Sequence, residues 1–417
     1  MNRRESQSPG LSPRISKDER KPAGYPDRAK EVEPRATTCD RLFGAVCAVW
    51  IFDAKRLSTE ELQMKKSIFA GVLVLSALLI LTGFGPVQGA DQIIKLNTCW
   101  MPEHETFIPW LAKEKGWDKA EGLDLNMLYF ESGMGQMEAL PAKTWVLGAT
   151  GGTPHIVGAA RYGALLIGIG NDESLTNVVM VRPDSPIMKV KGWNPKYPEV
   201  YGSPELIKGK TVLVTTVSSA HFGLSSWLKV FGLKDSDVII KNMEQPQAVA
   251  GFESGIGDIV ALWAPHMYTG LAKGWKITGN VHTCGAGLPI TLVGDKDFCE
   301  KNPETVAKFL RVYFRGVDYI KATPVDKLIP EYKKFMKDWC GLDMTDEMCK
   351  MDIEMHPVFN LSEQLKMFTD GVPGAWEMGV LSFFTEQGKL KQTDADKVLK
   401  DGKINFVTDK YLKMIAK

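Results

Sequence analysis

GKTVLVTTVSSAHFGLSSWLKVFG, residues 209–232, decides how the rest of the chain is read. Thr211 to Thr215 alternate and are rich in β-branched residues, the pattern of a strand. Phe222, Leu224, Leu228 and Phe231 then recur at helical spacing, and Gly232 closes the helix. The small polar turn Val217-Ser218-Ser219-Ala220 joins the two. A strand feeding a helix through such a turn leaves free backbone N–H groups at the helix start, with Ser218 or Ser219 as cap. Those N–H groups suit an anionic head group, and they equally suit an ordinary β–α connection.

Working outward, the same alternation repeats. Ile93 to Asn97, Leu123 to Tyr129, Trp145 to Ala149 and Leu165 to Ile169 read as strands, with a helical segment at Phe107 to Ala112 and another opening at Thr153-Pro154. Val178 to Val181 carries the chain into a Pro- and Gly-rich connection. Beyond the opening stretch come strands at Val238 to Ile240, Asp258 to Leu262 and Ile290 to Val293. From Pro303 the chain is mostly helical, with segments at Leu328 to Met336, Leu361 to Phe368 and Ala375 to Phe383. Strands alternating with helices predict mostly parallel sheets covered on both faces. A long helical tail after a returning strand predicts that the chain crosses back to its first lobe. The expected fold class is therefore α/β with two discontinuous lobes: residues 91–181 and 284–417 form one, and residues 182–283 the other.

The amino end reads differently. Lys65-Lys66, the apolar run Ile68 to Leu81 and the small residues up to Ala90 follow the order of a secretory signal peptide, residues 64–90, starting at Met64. Residues 1–63 then read as translated from a start codon placed upstream, or as a disordered extension. The alternative is a cytoplasmic extension followed by a membrane anchor. The expected location is the periplasm, with a soluble mature protein. Residues 91–417 carry 37 Lys and Arg against 40 Asp and Glu, with no basic block interleaved with aromatics, so nucleic acid is not an expected partner. Five cysteines remain there, Cys99, Cys284, Cys299, Cys340 and Cys349. Export permits disulfides, and Cys340 to Cys349 closes the shortest loop.

Enzyme signatures are missing. The six histidines form no HExxH motif, the glycines form no GxGxxG after a strand, and no cysteine has metal-site spacing, so neither cofactor nor metal is expected. A Ser219–His221 pair with a distant Asp lacks the nucleophile-elbow pattern. What remains is a set of polar turns and aromatics at the carboxyl ends of strands, where open α/β sheets bind ligands. The candidates are Trp100, Met134, Gly135, Gly152, Thr153, Ser218, Ser219, Ala220, His221 and Trp263. Trp100 and Trp263 equally suit packing, Thr153 a helix cap, and His221 a helix surface. Glu103, His104 and Glu105 cluster near Trp100, where their carboxylates suit an amine.

The stretches Ile94–Gly133, Leu147–Ala164, Leu206–Leu233 and Gly257–Pro265, in that order, resemble the periplasmic substrate-binding proteins of ABC importers. The branch is the one that includes nitrate, alkanesulfonate, taurine and thiamine-precursor binders. The resemblance implies two α/β lobes of the type II binding-protein fold, hinged near residues 178–183 and 281–289. It implies a monomer without catalysis that hands a small molecule to ABC permease subunits. On that resemblance the expected ligand is an alkanesulfonate or a taurine-like zwitterion. The alternatives are a binder of a thiamine-precursor pyrimidine or other heterocycle, or a secreted enzyme acting on such a precursor.

Overall fold

The computed structural model describes residues 93–417 apart from 387 and 389, so the expected signal peptide and residues 1–63 lie outside the described residues. In chain order the first lobe runs β1 (Ile94–Trp100), α1 (Phe107–Glu114), β2 (Leu123–Tyr129), α2 (Gly133–Ala139), β3 (Leu147–Gly151), α3 (Gly152–Tyr162) and β4 (Ala164–Asp172). The second comprises β5 (Val178–Val181), β6 (Thr211–Val214), α4 (Ser219–Val230), β7 (Ile239–Asn242), α5 (Gln245–Glu253), β8 (Ile259–Leu262), α6 (His266–Ala272) and β9 (Lys276–Asn280). The chain returns through β10 (Pro289–Asp295). It finishes in α7 (Pro303–Ala322), α8 (Val325–Asp338), α9 (Asp346–Met355), α10 (Leu361–Thr369) and α11 (Val372–Glu386), among shorter elements.

Two five-stranded sheets result, ordered β2-β1-β3-β10-β4 and β7-β6-β8-β5-β9. In the first, β1 is parallel to β2 and β3, while β10 is antiparallel to β3 and β4. In the second, β6 is parallel to β7 and β8, while β5 is antiparallel to β8 and β9. The antiparallel member of each sheet is the strand that has just crossed from the other. A strand that crosses directly, with no helix to reverse it, enters its new sheet against the direction of the parallel strands. The carboxyl ends of both parallel sets therefore face each other across the crossings.

Those crossings are residues 173–177 and 281–288, and they are bonded to one another. Val281 N donates to Asn177 O at 3.2 Å, His282 N to Ser174 O at 3.0 Å, and Glu173 N to Leu288 O at 3.0 Å. Val178–Val181, assigned from sequence to the first lobe, pairs wholly within the second sheet, because its four buried apolar side chains need a face on both sides.

The opening stretch folds as read. Ser218 caps α4 by accepting from His221 N at 3.3 Å, and Gly232 takes φ +71° just beyond its end. Along α7, Val306, Phe309, Leu310, Tyr313 and Val317 repeat at helical spacing and are buried against the first sheet. No helix among the described residues is long and apolar enough to cross a membrane.

Trp100 belongs to this packing rather than to the space between the lobes. Its indole is fully buried, lies parallel to Tyr313 at 6.4 Å between ring centroids, and donates through Nε1 to Thr98 Oγ1 at 2.7 Å. Disulfides also give way to packing. All five cysteines of the described chain are free thiols, with Cys349 turned into the apolar core and Cys340 packed at its edge. Chemical denaturation of Trp100→Ala is expected to show a loss of about 3–5 kcal/mol of unfolding free energy, the cost of a large cavity. Thiol titration of the denatured, unreduced protein is expected to find these five groups reactive.

Candidate functional site

The loops leaving β1, β3 and β4 meet those leaving β6 and β8, and the side chains they bring are polar and buried. From the first lobe come Glu103, His104 and Glu105, just after β1, with Thr153 and Asn171. Glu173 and Asn177 stand on the first crossing, and Ser219 and Trp263 come from the second lobe. Ser219 Oγ donates to Glu173 Oε1 at 2.6 Å, while Asn177 Nδ2 donates to Glu173 Oε2 at 2.9 Å. The close approach depends on Gly151. A methyl group there would stand 2.4 Å from Ser219 Oγ and 3.4 Å from Glu173 Oε1.

Many polar atoms in this region lack partners. Glu105 Oε2, Thr153 Oγ1, both amide atoms of Asn171, Asn177 Oδ1, Trp263 Nε1 and His104 Nε2 are buried without a hydrogen bond. Each such atom costs free energy unless something supplies its partner. Native interiors hold few of them, so a group of this size at facing strand ends makes this region the candidate binding site.

Burial also shifts the acids. It pushes the Glu103 carboxyl well above its usual range, and the charges of Glu105, Glu173 and Asp352 push further the same way. Glu105 rises to about 8, chiefly by burial, with the Glu173 charge adding to the rise. Glu173 rises to about 7 by burial, although bonds from Ser219 and Asn177 work against it. At neutral pH these groups share protons and hold less than their full negative charge.

Beneath them lies a fully bonded ionic hub. Asp352 on α9 accepts from Tyr268 OH of the second lobe at 2.8 Å and from Tyr332 OH of α8 at 2.5 Å. His356 Nδ1 lies 3.0 Å from Asp352 Oδ1. His356 Nε2 stands 2.9 Å from Thr176 Oγ1, whose own hydrogen goes to Glu173 O. With that hydrogen on Glu173 O, both imidazole nitrogens are placed to donate, and the Asp352 carboxylate beside Nδ1 favours the charged ring. Burial alone raises the Asp352 carboxyl and depresses His356. Their mutual attraction outweighs it, so the carboxyl lies below its usual value and the imidazole above.

His104 stacks on His356 at 4.8 Å between centroids and 5° between planes, and stays neutral, driven down to about 3 by burial and by the His356 charge. Since Tyr332 spends its hydrogen on Asp352, His104 Nδ1 is the donor in its 2.9 Å bond to Tyr332, and Nε2 is left bare. His104, Asp352 and His356 bring donor atoms within 4.8 Å of one another, yet Nε2 of His104 is the one atom of these three not already bonded. The trio does not fit a metal ion.

The structure sorts the residues named from sequence. Ser219, Thr153 and Trp263 stand among the buried polar groups of both lobes. His221 does not present its ring to a ligand. Its Nδ1 accepts from Val217 N at 3.1 Å and its Nε2 donates to Asp235 Oδ2 at 2.7 Å, which pins a turn whose Val217 has φ +59°. With both ring nitrogens taken, Ser219 has no base, and no Ser–His–Asp triad forms. Ser218 is a cap, its Oγ also donating to Thr215 O at 2.7 Å, and Ala220 packs in the second-lobe core. Gly152 faces Glu377 of α11, 3.1 Å from where a Cβ would sit, and Met134 and Gly135 are half-buried in the first turn of α2. Sequence reasoning missed Asn171, Asn177 and the Tyr268–Asp352–His356 hub. The run Asn171-Asp172-Glu173, polar residues directly after an apolar strand, was the signal for the first of these.

Two lobes joined by paired crossings, with a polar site between facing strand ends, define the periplasmic-binding-protein fold. The chain belongs to the NMT1/THI5-like family, which it matches over residues 102–327. It is 30% identical over 266 residues, 62% of this chain and 75% of the relative, to a Bacillus subtilis protein provisionally named an aliphatic sulfonates-binding protein. It is 29% identical over 258 residues, 61% of this chain and 72% of the relative, to a Brachyspira hyodysenteriae protein provisionally named an ABC transporter periplasmic binding protein. The fold is shared with the Escherichia coli periplasmic aliphatic sulphonate binding protein at TM-score 0.56 and 19% identity, covering 73% of this chain and 96% of that one. It is shared too with the Synechocystis nitrate-binding protein at TM-score 0.59 and 12% identity, covering 79% and 89%. The family's part is binding, without catalysis.

The hub sets a pH signature. Asp352, with its lowered pKa, contributes stability that is present above its unfolded value of about 3.9 and is lost as pH falls through the folded value. His356, with its raised pKa, contributes stability that is complete below about 6.5 and is lost as pH rises through its folded value. Asp352→Ala is expected to cost about 3–5 kcal/mol near pH 6 by leaving His356 unpaired. Melting temperatures followed across pH should lose both flanks in this variant.

Proposed function

We propose that the protein is the exported, monomeric solute-binding component of an ABC importer. It captures a small organic solute between its lobes and presents the closed form to the permease, with no bond made or broken. The observation that carries this reading is the group of unpartnered buried polar atoms contributed by both lobes at facing strand ends. Closure around the solute is a population shift, driven by partners that only the closed form can offer.

For the kind of solute, the donor set favours a nitrogen heterocycle of the thiamine-precursor pyrimidine type. The exocyclic amino group of such a ring suits the unpartnered oxygens of Glu105, Asn171 and Asn177, and its ring nitrogens suit the N–H of the Trp263 indole. An alkanesulfonate or taurine, the ligands in the names of several relatives, would use the start of α4. There the Ser219 hydroxyl is already given to a carboxylate, and among the described residues no Lys or Arg is buried to balance a sulfonate.

Native and denaturing mass spectra of the purified protein, followed by calorimetry with aminopyrimidines, taurine and alkanesulfonates, test this. The expected result is binding of an aminopyrimidine and a smaller radius of gyration by X-ray scattering on its addition. Tighter binding of a sulfonate would reverse the choice of solute. Unchanged dimensions with a bound ligand would remove the closure mechanism.

A further inference from the structure

The buried charges of the site do not balance. Glu103, Glu105, Glu173 and Asp352 place four carboxyl groups at 6% exposure or less. One buried cation answers them, the His356 imidazolium, and both of its N–H groups are held by Asp352 and Thr176. Among the described residues no Lys or Arg is buried. The field extends outward, where Glu244 at the start of α5 is raised by burial and by the charge of Glu131 from the first lobe. The unpartnered atoms lean the same way: Glu105 Oε2, Asn171 Oδ1, Asn177 Oδ1 and His104 Nε2 are acceptors, against the donors Trp263 Nε1 and Asn171 Nδ2, while the Thr153 hydroxyl can serve as either.

We infer that the solute is an organic cation bearing an amidinium, guanidinium or ammonium group that lies against Glu105 and Glu173, and that its binding expels protons from these carboxyls to solvent. The inference rests on the solute-binding reading above and adds the charge of the ligand. An ionised carboxylate buried without a counter-charge is costly, so without ligand the site is neutralised by protons. A cation that enters takes their place, and two separated donors on one planar group match two carboxylates better than a single point charge does. The groups that set the protonation of Glu105 are Glu173, His356 and Thr106, with Glu103 beside it. Those that set Glu173 are Ser219, Asn177, His356 and Asp172. His356 is the one positive group among them. Its pairing with Asp352 favours the charged ring, which leaves the two glutamates as the groups whose charge a ligand can change.

The test pairs isosteres of different charge. Benzamidine, its neutral counterpart benzamide and benzenesulfonate are titrated into the protein by calorimetry between pH 6 and 8, in buffers of different ionisation enthalpy. Benzamidinium is expected to bind in preference to both, releasing about one proton between the two transitions and more than one toward pH 6, with affinity rising at least about tenfold per pH unit below the Glu105 transition. Glu105→Gln and Glu173→Gln should each weaken benzamidinium at least tenfold and flatten the pH profile, while ligand-free melting temperature holds or rises. A purely structural glutamate would give a lower melting temperature and an unaltered profile. Infrared spectra of the ligand-free protein at pH 7 should show a protonated carboxyl band that fades when benzamidine is added. Preference for benzamide or benzenesulfonate overturns the charge inference and leaves the solute-binding reading in place. Failure of all three probes to bind, with no protonated carboxyl band, overturns the inference on its own terms.

Discussion

A carboxylate out of water needs a counter-charge or a proton, and this chain buries several carboxyls near one another with His356 as the basic group among them. Much of the site's organisation is a response to that constraint. Asp352 is ionised because two tyrosines and His356 surround it. Glu173 is held by Ser219 and Asn177, and Glu105 keeps one oxygen without a partner. The hub is saturated and the layer above it is not. The difference separates what holds the lobes together from what is left for a ligand.

The two layers are joined through the chain crossings. Thr176 receives His356 and gives its own hydrogen to Glu173 O, so the ionic hub and Glu173 share one short segment. Tyr268 reaches the same aspartate from the second lobe. The turn after β6 is the matching device on the other side. His221 and Asp235 hold Val217 in a left-handed conformation, and that fixes where Ser219 meets Glu173.

The crossing strands explain why both lobes are mixed sheets, β5 in the second and β10 in the first. β10 enters between β3 and β4 as a fully buried strand, with Leu292 and Val293 turned to its two faces, and the helices after it wrap the first sheet. Trp100 is drawn into that wrapping. Phe309 and Tyr313, more than two hundred residues later in the chain, form the surface on which its indole lies. Local sequence around Trp100 carries no trace of this partner, and an aromatic leaving a strand end suits a ligand as well as a core.

Strand and helix periods, a serine cap at Ser218 or Ser219 and the Gly232 stop were legible in the sequence, because each depends on residues a few positions apart, and the two-lobed architecture was legible from the order of the elements and the family resemblance. So was the value of Ser219, Thr153 and Trp263 as residues at strand ends, and the clustering of Glu103, His104 and Glu105. Tertiary structure alone decided which of these are buried, which are bonded and which are left open. Nothing in the local sequence marks Asp352 and His356, which matter because the fold sets them beside His104, Tyr268 and Thr176. Spacing along a chain fixes which side of an element a residue takes, whereas the charge it carries depends on solvent and on partners that arrive from distant segments.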